Sequence, residues 1–282
     1  MKKILFLSAC FLLPLIASAQ AQIDTKKVKI SDFTEKITKV VLTENQFYAS
    51  ALKREISARW RVSPYEFCTI EEFENLKTSP DYYFLITTKG QFRKEQTPGL
   101  QFISLLKGGK KAEKGIDSML EIVTVPLASA NNPSGREFTF LPAFIDLIQA
   151  YALNAMDSDV SGYAGLSSYA ENLSNAKNMQ ILFSEDDLES EMTEDMKTTC
   201  NAANIWIVDE FDAEDAMDNA AENTLVSYVV APANPVPGSY CYKMLFDTNT
   251  HELYYYRKHK ISKKTSAGFI KEDIKRILTS RK

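Results

Sequence analysis

The chain has 282 residues, with 33 Lys and Arg against 37 Asp and Glu and a net charge of −4. That mild acidity does not favour wholesale nucleic-acid binding, and 45% apolar with 11% aromatic residues is enough for a core without disulfide staples. Four cysteines are too few for a disulfide scaffold, and beyond the first residues no run is apolar enough to span a membrane.

The opening residues set the compartment. Lys2-Lys3, an apolar run from Ile4 to Ile16 and then "ASAQAQ" have the order of a secretory signal peptide over residues 1–21, with cleavage expected after Ala19 or Ala21. The apolar run falls short of the about 20 residues a bilayer span takes. Leu7-Ser8-Ala9-Cys10 resembles a bacterial lipobox, but "FLLPLIA" stays apolar past Cys10, so membrane attachment is expected only if that cysteine is lipidated. The expected product is an exported, periplasmic or cell-surface chain. Loss of Lys2 and Lys3 takes its net charge from −4 to −6. It keeps Cys68, Cys200 and Cys241, which allow at most one internal bridge.

In chain order, Val40–Thr43 reads as a strand and Gln46–Trp60 as a helix with Phe47, Ala51, Leu52 and Ile56 at helical spacing. Arg61–Cys68 is extended. Thr69-Ile-Glu-Glu72 fits a capping box opening a second helix. Tyr82–Thr87 is a strand, followed by strands Leu100–Lys107 and Met119–Pro126, with "GGKKAEKG" as the turn between them. Pro142 opens a helix carrying Phe144, Ile145, Ile148 and Ala152 on one face.

The same order then returns. Ile181–Ser184 is a strand, Asp187–Thr199 a helix, Ile205–Val208 a strand, and an acidic helix capped by Asp209 or Asp212 runs to about Ala221. Thr224–Val230, Tyr240–Phe246 and Glu252–Lys260 are strands, the last two a hairpin across "DTNT". The closing helix has Phe269, Ile270, Ile274, Ile277 and Leu278 on one side.

The predicted fold class is therefore α/β with an internal duplication. Each half reads β-α-β-α-β, a β-hairpin and a terminal helix, giving a mixed five-stranded sheet. The domains expected are 22–156 and 179–282, joined by a Ser-, Gly- and Asn-rich linker over 157–178. Duplicated domains commonly pair about a pseudo-twofold with a groove between them, and that packing is expected here.

Motifs for chemistry are sparse. His251 and His259 are expected as exposed residues of the last strand, about 26 Å apart and unable to share a metal. The cysteines read as buried small hydrophobes. Ser-x-x-Lys recurs at Ser50, Ser104 and Ser174 without partner motifs, and "GGKKAEKG" lacks P-loop order. The acidic runs "SEDDLESEMTED" and "DEFDAEDAMDNAAE" lack the EF-hand order and read as solvated helix faces. No cofactor or metal motif is found.

From Arg257 to Lys282 ten Lys and Arg stand against Glu272 and Asp273, directly after Tyr254-Tyr255-Tyr256. Cations beside aromatics can hold acidic polymers. Tyr254, Tyr256, Arg257, Lys258 and Lys260 are thus the candidate ligand-binding residues. The bland alternative packs the tyrosines under the terminal helix, with the lysines solvated.

The function expected is a non-enzymatic cell-envelope binding or scaffold module, its partner an envelope protein or surface polysaccharide. Two alternatives stay open. One is a hydrolase of an envelope polymer working through two carboxyls about 5–10 Å apart, one with a raised pKa. The other is recognition of an anionic glycan or lipid by the basic Tyr-rich strip.

Overall fold

The computed structural model describes residues 30–92, 95–158, 165–189 and 194–281. The expected signal peptide, Cys10 and part of the expected linker lie outside the described residues. Short apolar runs, the central ones buried on both faces, give ten strands among the described residues, in two sheets. The first half runs β1 (Ile37–Val41), α1 (Gln46–Arg59), β2 (Tyr65–Cys68), α2 (Ile70–Leu76), β3 (Tyr82–Gly90), β4 (Leu100–Lys107) and β5 (Leu120–Ser129). A short helix α3 (Arg136–Thr139) leads into α4 (Leu141–Asp157).

The second half runs β6 (Gln180–Ser184), α5 (Glu194–Ala202), β7 (Ile205–Val208), α6 (Glu210–Asp218), β8 (Thr224–Val230), β9 (Tyr240–Asp247), β10 (Leu253–Lys260) and α7 (Lys271–Ser280). The first sheet has the order β2-β1-β3-β4-β5 and the second β7-β6-β8-β9-β10. In both, the first three strands are parallel and the last two antiparallel. Strand order and sense match one for one, as an internal duplication requires.

Helix starts follow the expected caps. The Asn45 side chain accepts from the N–H groups of Phe47 and Tyr48, Thr69 and Glu72 form the capping box, and Asp209 accepts from Asp212 N at 2.8 Å. Each such cap contributes about 1 kcal/mol.

The halves do not meet about a pseudo-twofold. Alternation along β3 sends Tyr83 and Leu85 into the large core with α1 and α4, and Phe84 and Ile86 to the other face with α2. Along β8, Val226 and Tyr228 enter that same large core with α6, whereas Leu225 faces the core holding Phe269, Ile274 and Ile277. The α1/α4 face of the first half therefore packs on the α6 face of the second. These are non-equivalent faces, stacked front to back. The cause is α4, which is apolar nearly all round: ten of its residues are buried, and Phe144 lies 5.3 Å from Tyr228 and 5.7 Å from Phe246. A pseudo-twofold would press α4 against α7 and push Lys271, Lys275 and Arg276, all exposed, into the junction.

Other expectations also change. Asp187 does not open a helix: it ends a 3-10 turn (Glu185–Asp187), is buried, and α5 starts at Glu194. The "GGKKAEKG" loop joins β4 to β5 as expected but coils into two 3-10 turns, Lys110–Lys114 and Ile116–Ser118. In the expected linker, Gly165–Ala176 is 3-10 helical and buries Leu166, Leu173 and Ala176. Cys68, Cys200 and Cys241 are free thiols, all buried.

Candidate functional site

The site grows from the last hairpin. Asp247 Oδ1 accepts from Asn249 N and Thr250 N, both at 2.8 Å, which fixes the turn. A bulge follows between Leu253 and Tyr255. It offsets the alternation, so Tyr255 and Arg257 point to α7, while Tyr256, Lys258 and Lys260 point to the opposite face. There the Tyr256 ring lies 6.2 Å from that of Tyr242, and the ammonium groups of Lys258 and Lys260 sit 5.4 and 5.6 Å from the Tyr240 ring centre.

Beneath α7 lies a buried ionic network. Asp273, with no exposed surface, accepts from Tyr255 Oη at 2.6 Å, Arg257 Nη1 at 3.0 Å, Ile270 N at 3.0 Å and the equally buried Lys243 Nζ. Burial works against its charge, but the Lys243 ammonium and these donors outweigh it and hold the carboxyl below the usual aspartate range. The pair anchors the start of α7. The chain before it approaches so closely that a side chain on Gly268 (φ +103°) would meet Leu188 C and Glu189 N at 2.8 Å.

Above that base, the outer edge of β10, the second half of α7 and the 3-10 segment enclose a cleft of about 620 Å³. Arg257, Lys258, Lys275 and Arg276 line it together with one carboxyl, Glu272. Glu272 takes hydrogen bonds from Arg257 at 3.1 Å and Arg276 at 3.0 Å, and these cations, Arg276 foremost, lower its pKa. Lys258 and Lys275 have no carboxylate partner within 4.0 Å among the described residues. Tyr256, Ser167 and Thr279 add polar or aromatic wall.

Of the residues expected from sequence, Tyr256, Arg257 and Lys258 line this cleft. Tyr254, half-buried, packs toward the α7 core, and Lys260 lies beyond the cleft. Lys275, Arg276 and Thr279 were legible only as part of the basic tail, because their facing depends on how α7 docks. Ser167 carried no signal. The packing is that of the bland alternative in part: Tyr255 lies under α7, and Lys258 and Lys260 are exposed.

A second charged centre sits at the junction of the halves. Arg136, 5% exposed, donates to both oxygens of Asp187 at 2.8 and 3.2 Å and to Ser227 O at 3.0 Å, and its guanidinium lies 5.3 Å from the Tyr228 ring centre. Glu214 stands 3.6 Å from Arg136 Nε; burial raises its pKa while Arg136 opposes the rise. The histidines are not the exposed strand residues expected. His251 precedes β10 with φ 60° and its Nδ1 lies 2.7 Å from Asp146 of α4, a further tie between halves. His259 is half-buried against Ser266 O at 2.8 Å, and burial lowers its pKa.

Neither protein-family models, curated proteins nor solved structures give a match to this chain.

Proposed function

We propose that this protein is a non-enzymatic binding module that holds an anionic partner in the cleft between β10, α7 and the 3-10 segment. The observation behind this reading is the lining: four cations against one carboxyl, in a concave site on a base fixed by Asp273. Arg257 and Arg276 are already held by Asp273 and Glu272, so they need not be ordered at the moment of binding. The signal-peptide pattern supports export, so the partners to seek are envelope proteins and surface polysaccharides. The cleft holds a single carboxyl, Glu272, rather than the facing pair that the carboxyl-based hydrolase needs.

Retention on an immobilised polyanion, as a function of salt, tests this reading. The wild type elutes at a higher salt concentration than the Lys258→Ala/Lys275→Ala double variant, and the variant's salt dependence is flatter. Equal elution of the two proteins, or no retention at low salt, rejects it.

A further inference from the structure

The cleft has a property that a simple cationic pocket lacks: its floor is the unpaired edge of a sheet. β10 is the last strand of its sheet, bonded to β9 alone. Gly238 N donates to Ile261 O and Ile261 N to Ser239 O, so residue 261 directs both backbone groups to β9. In an antiparallel ladder those groups alternate. His259 and Arg257 therefore also face β9, and Tyr256, Lys258 and Lys260 turn their N–H and C=O outward. The other end agrees: the outward carbonyl of Leu253 is taken by Asn172 Nδ2 at 3.1 Å, where the 3-10 segment closes the edge. From Tyr256 to Lys260 no hydrogen bond reaches the outward backbone groups among the described residues, while Ser167, Ala170 and Leu173 of the 3-10 segment stand beside this stretch as the cleft's other wall.

We infer that the cleft binds an acidic polypeptide segment in extended form, which adds to β10 as a sixth strand. This rests on the anion-binding reading above and names the ligand class for it. Charge complementarity selects the occupant. Lysines on an edge keep ordinary strands from pairing with it, and Lys258 and Lys260 have that effect on neutral or basic strands. An acidic strand neutralises them and also meets Lys275 and Arg276 on the α7 wall. Strand addition supplies main-chain hydrogen bonds for affinity, and the flanking charges supply choice of partner. A polysaccharide could satisfy the charges but not the alternating donors and acceptors of the edge.

The probe is a fluorescent ten-residue peptide of alternating Glu and Val, titrated against the full chain and followed by anisotropy. Its partner probe carries N-methyl groups on alternate residues, which keep charge and sequence but remove the pairing N–H groups. The expected result is binding that weakens with salt and is roughly tenfold weaker for the methylated peptide, as loss of two or three hydrogen bonds implies. Lys258→Pro removes one outward N–H without touching the β9 ladder, and proline is tolerated on an edge strand. Measured against Lys258→Ala, which removes the same cation but keeps the N–H, it should weaken the plain peptide a further several-fold while the melting temperature stays near wild type; equal binding of the two variants counts against strand addition. Equal binding of both peptides, or preference for dextran sulfate over the plain peptide, overturns strand addition but leaves the anion site standing. Failure of every one of these polyanions to bind at low salt overturns both.

Discussion

The helices α4 and α7 occupy the same place in their halves, each following the last strand of a matching sheet, yet they are built to opposite rules. α4 buries ten residues, Phe144 and Ile148 among them, and its outside is the inside of the other half. α7 buries Asp273, Ile274 and Ile277 and gives Lys271, Glu272, Lys275 and Arg276 to solvent. Topology fixed where each helix goes; position in the stack fixed what each can be made of. In tandem architectures an internal unit carries two apolar faces and a terminal one carries a polar cap. Here that difference freed α7 to form one wall of a charged cleft.

Substitutions at five positions probe the buried junction against the solvent-facing half. Phe144→Ala should cost about 3–5 kcal/mol, because the ring fills space between the two halves and neither can collapse into it. Urea denaturation followed by tryptophan fluorescence measures the loss; a cost below about 1 kcal/mol would mean that α4 is not the shared core. Arg136→Met should cost about 3 kcal/mol by leaving Asp187 buried without its cation. The Arg136→Met/Asp187→Leu double variant should recover much of that, and a strictly additive double variant would show the pair is not coupled.

A smaller effect concerns acid. Burial works against the charge of Asp32, but hydrogen bonds from Lys107, Tyr83 and Lys36 lower its pKa from 3.8 to about 2. Since its folded pKa lies below the unfolded one, its stabilisation is present above pH 3.8 and is lost as pH falls through about 2. The depressed Asp273 carboxyl acts in the same sense. Asp32→Asn should therefore flatten the decline of the urea midpoint between pH 4 and 2; an unchanged slope would assign that decline elsewhere. Smallest of all, Lys275→Ala on the solvent side of α7 should move stability by no more than about 0.5 kcal/mol while weakening polyanion retention.

Element order was legible because the strands are short, nearly continuous apolar runs, the central ones buried on both faces, and the helices carry explicit caps at Asn45, Thr69 and Asp209. The stacking was harder to read. Both terminal helices carry a Phe-Ile pair near their start, Phe144-Ile145 within the first turns of α4 and Phe269-Ile270 just before α7, and their apolar spacing is alike. The distinction lay in the other faces: "AFIDLIQAYAL" has little charge anywhere, whereas "GFIKEDIKRIL" has charge on every outward turn. Asp187 was misplaced for a different reason. An acid after a strand reads as a helix-starting residue, and only the distant Arg136 turns it into a buried one. Within the cleft, Arg257 and Lys258 were visible beside the tyrosines and strand alternation separates them, but the bulge before Tyr255, which sets which of the two faces α7, has no sequence mark.

The three thiols sit in three different places: Cys68 beneath α2, Cys200 in the core under α7, and Cys241 on β9 facing Gly268. Burial pushes the Cys68 thiol up to about 11 and the Cys241 thiol up to about 12, so neither reacts until its surroundings part. Left unbridged, they make the protein its own clock. The order in which they take up a thiol reagent would report the sequence in which the layers of the molecule open.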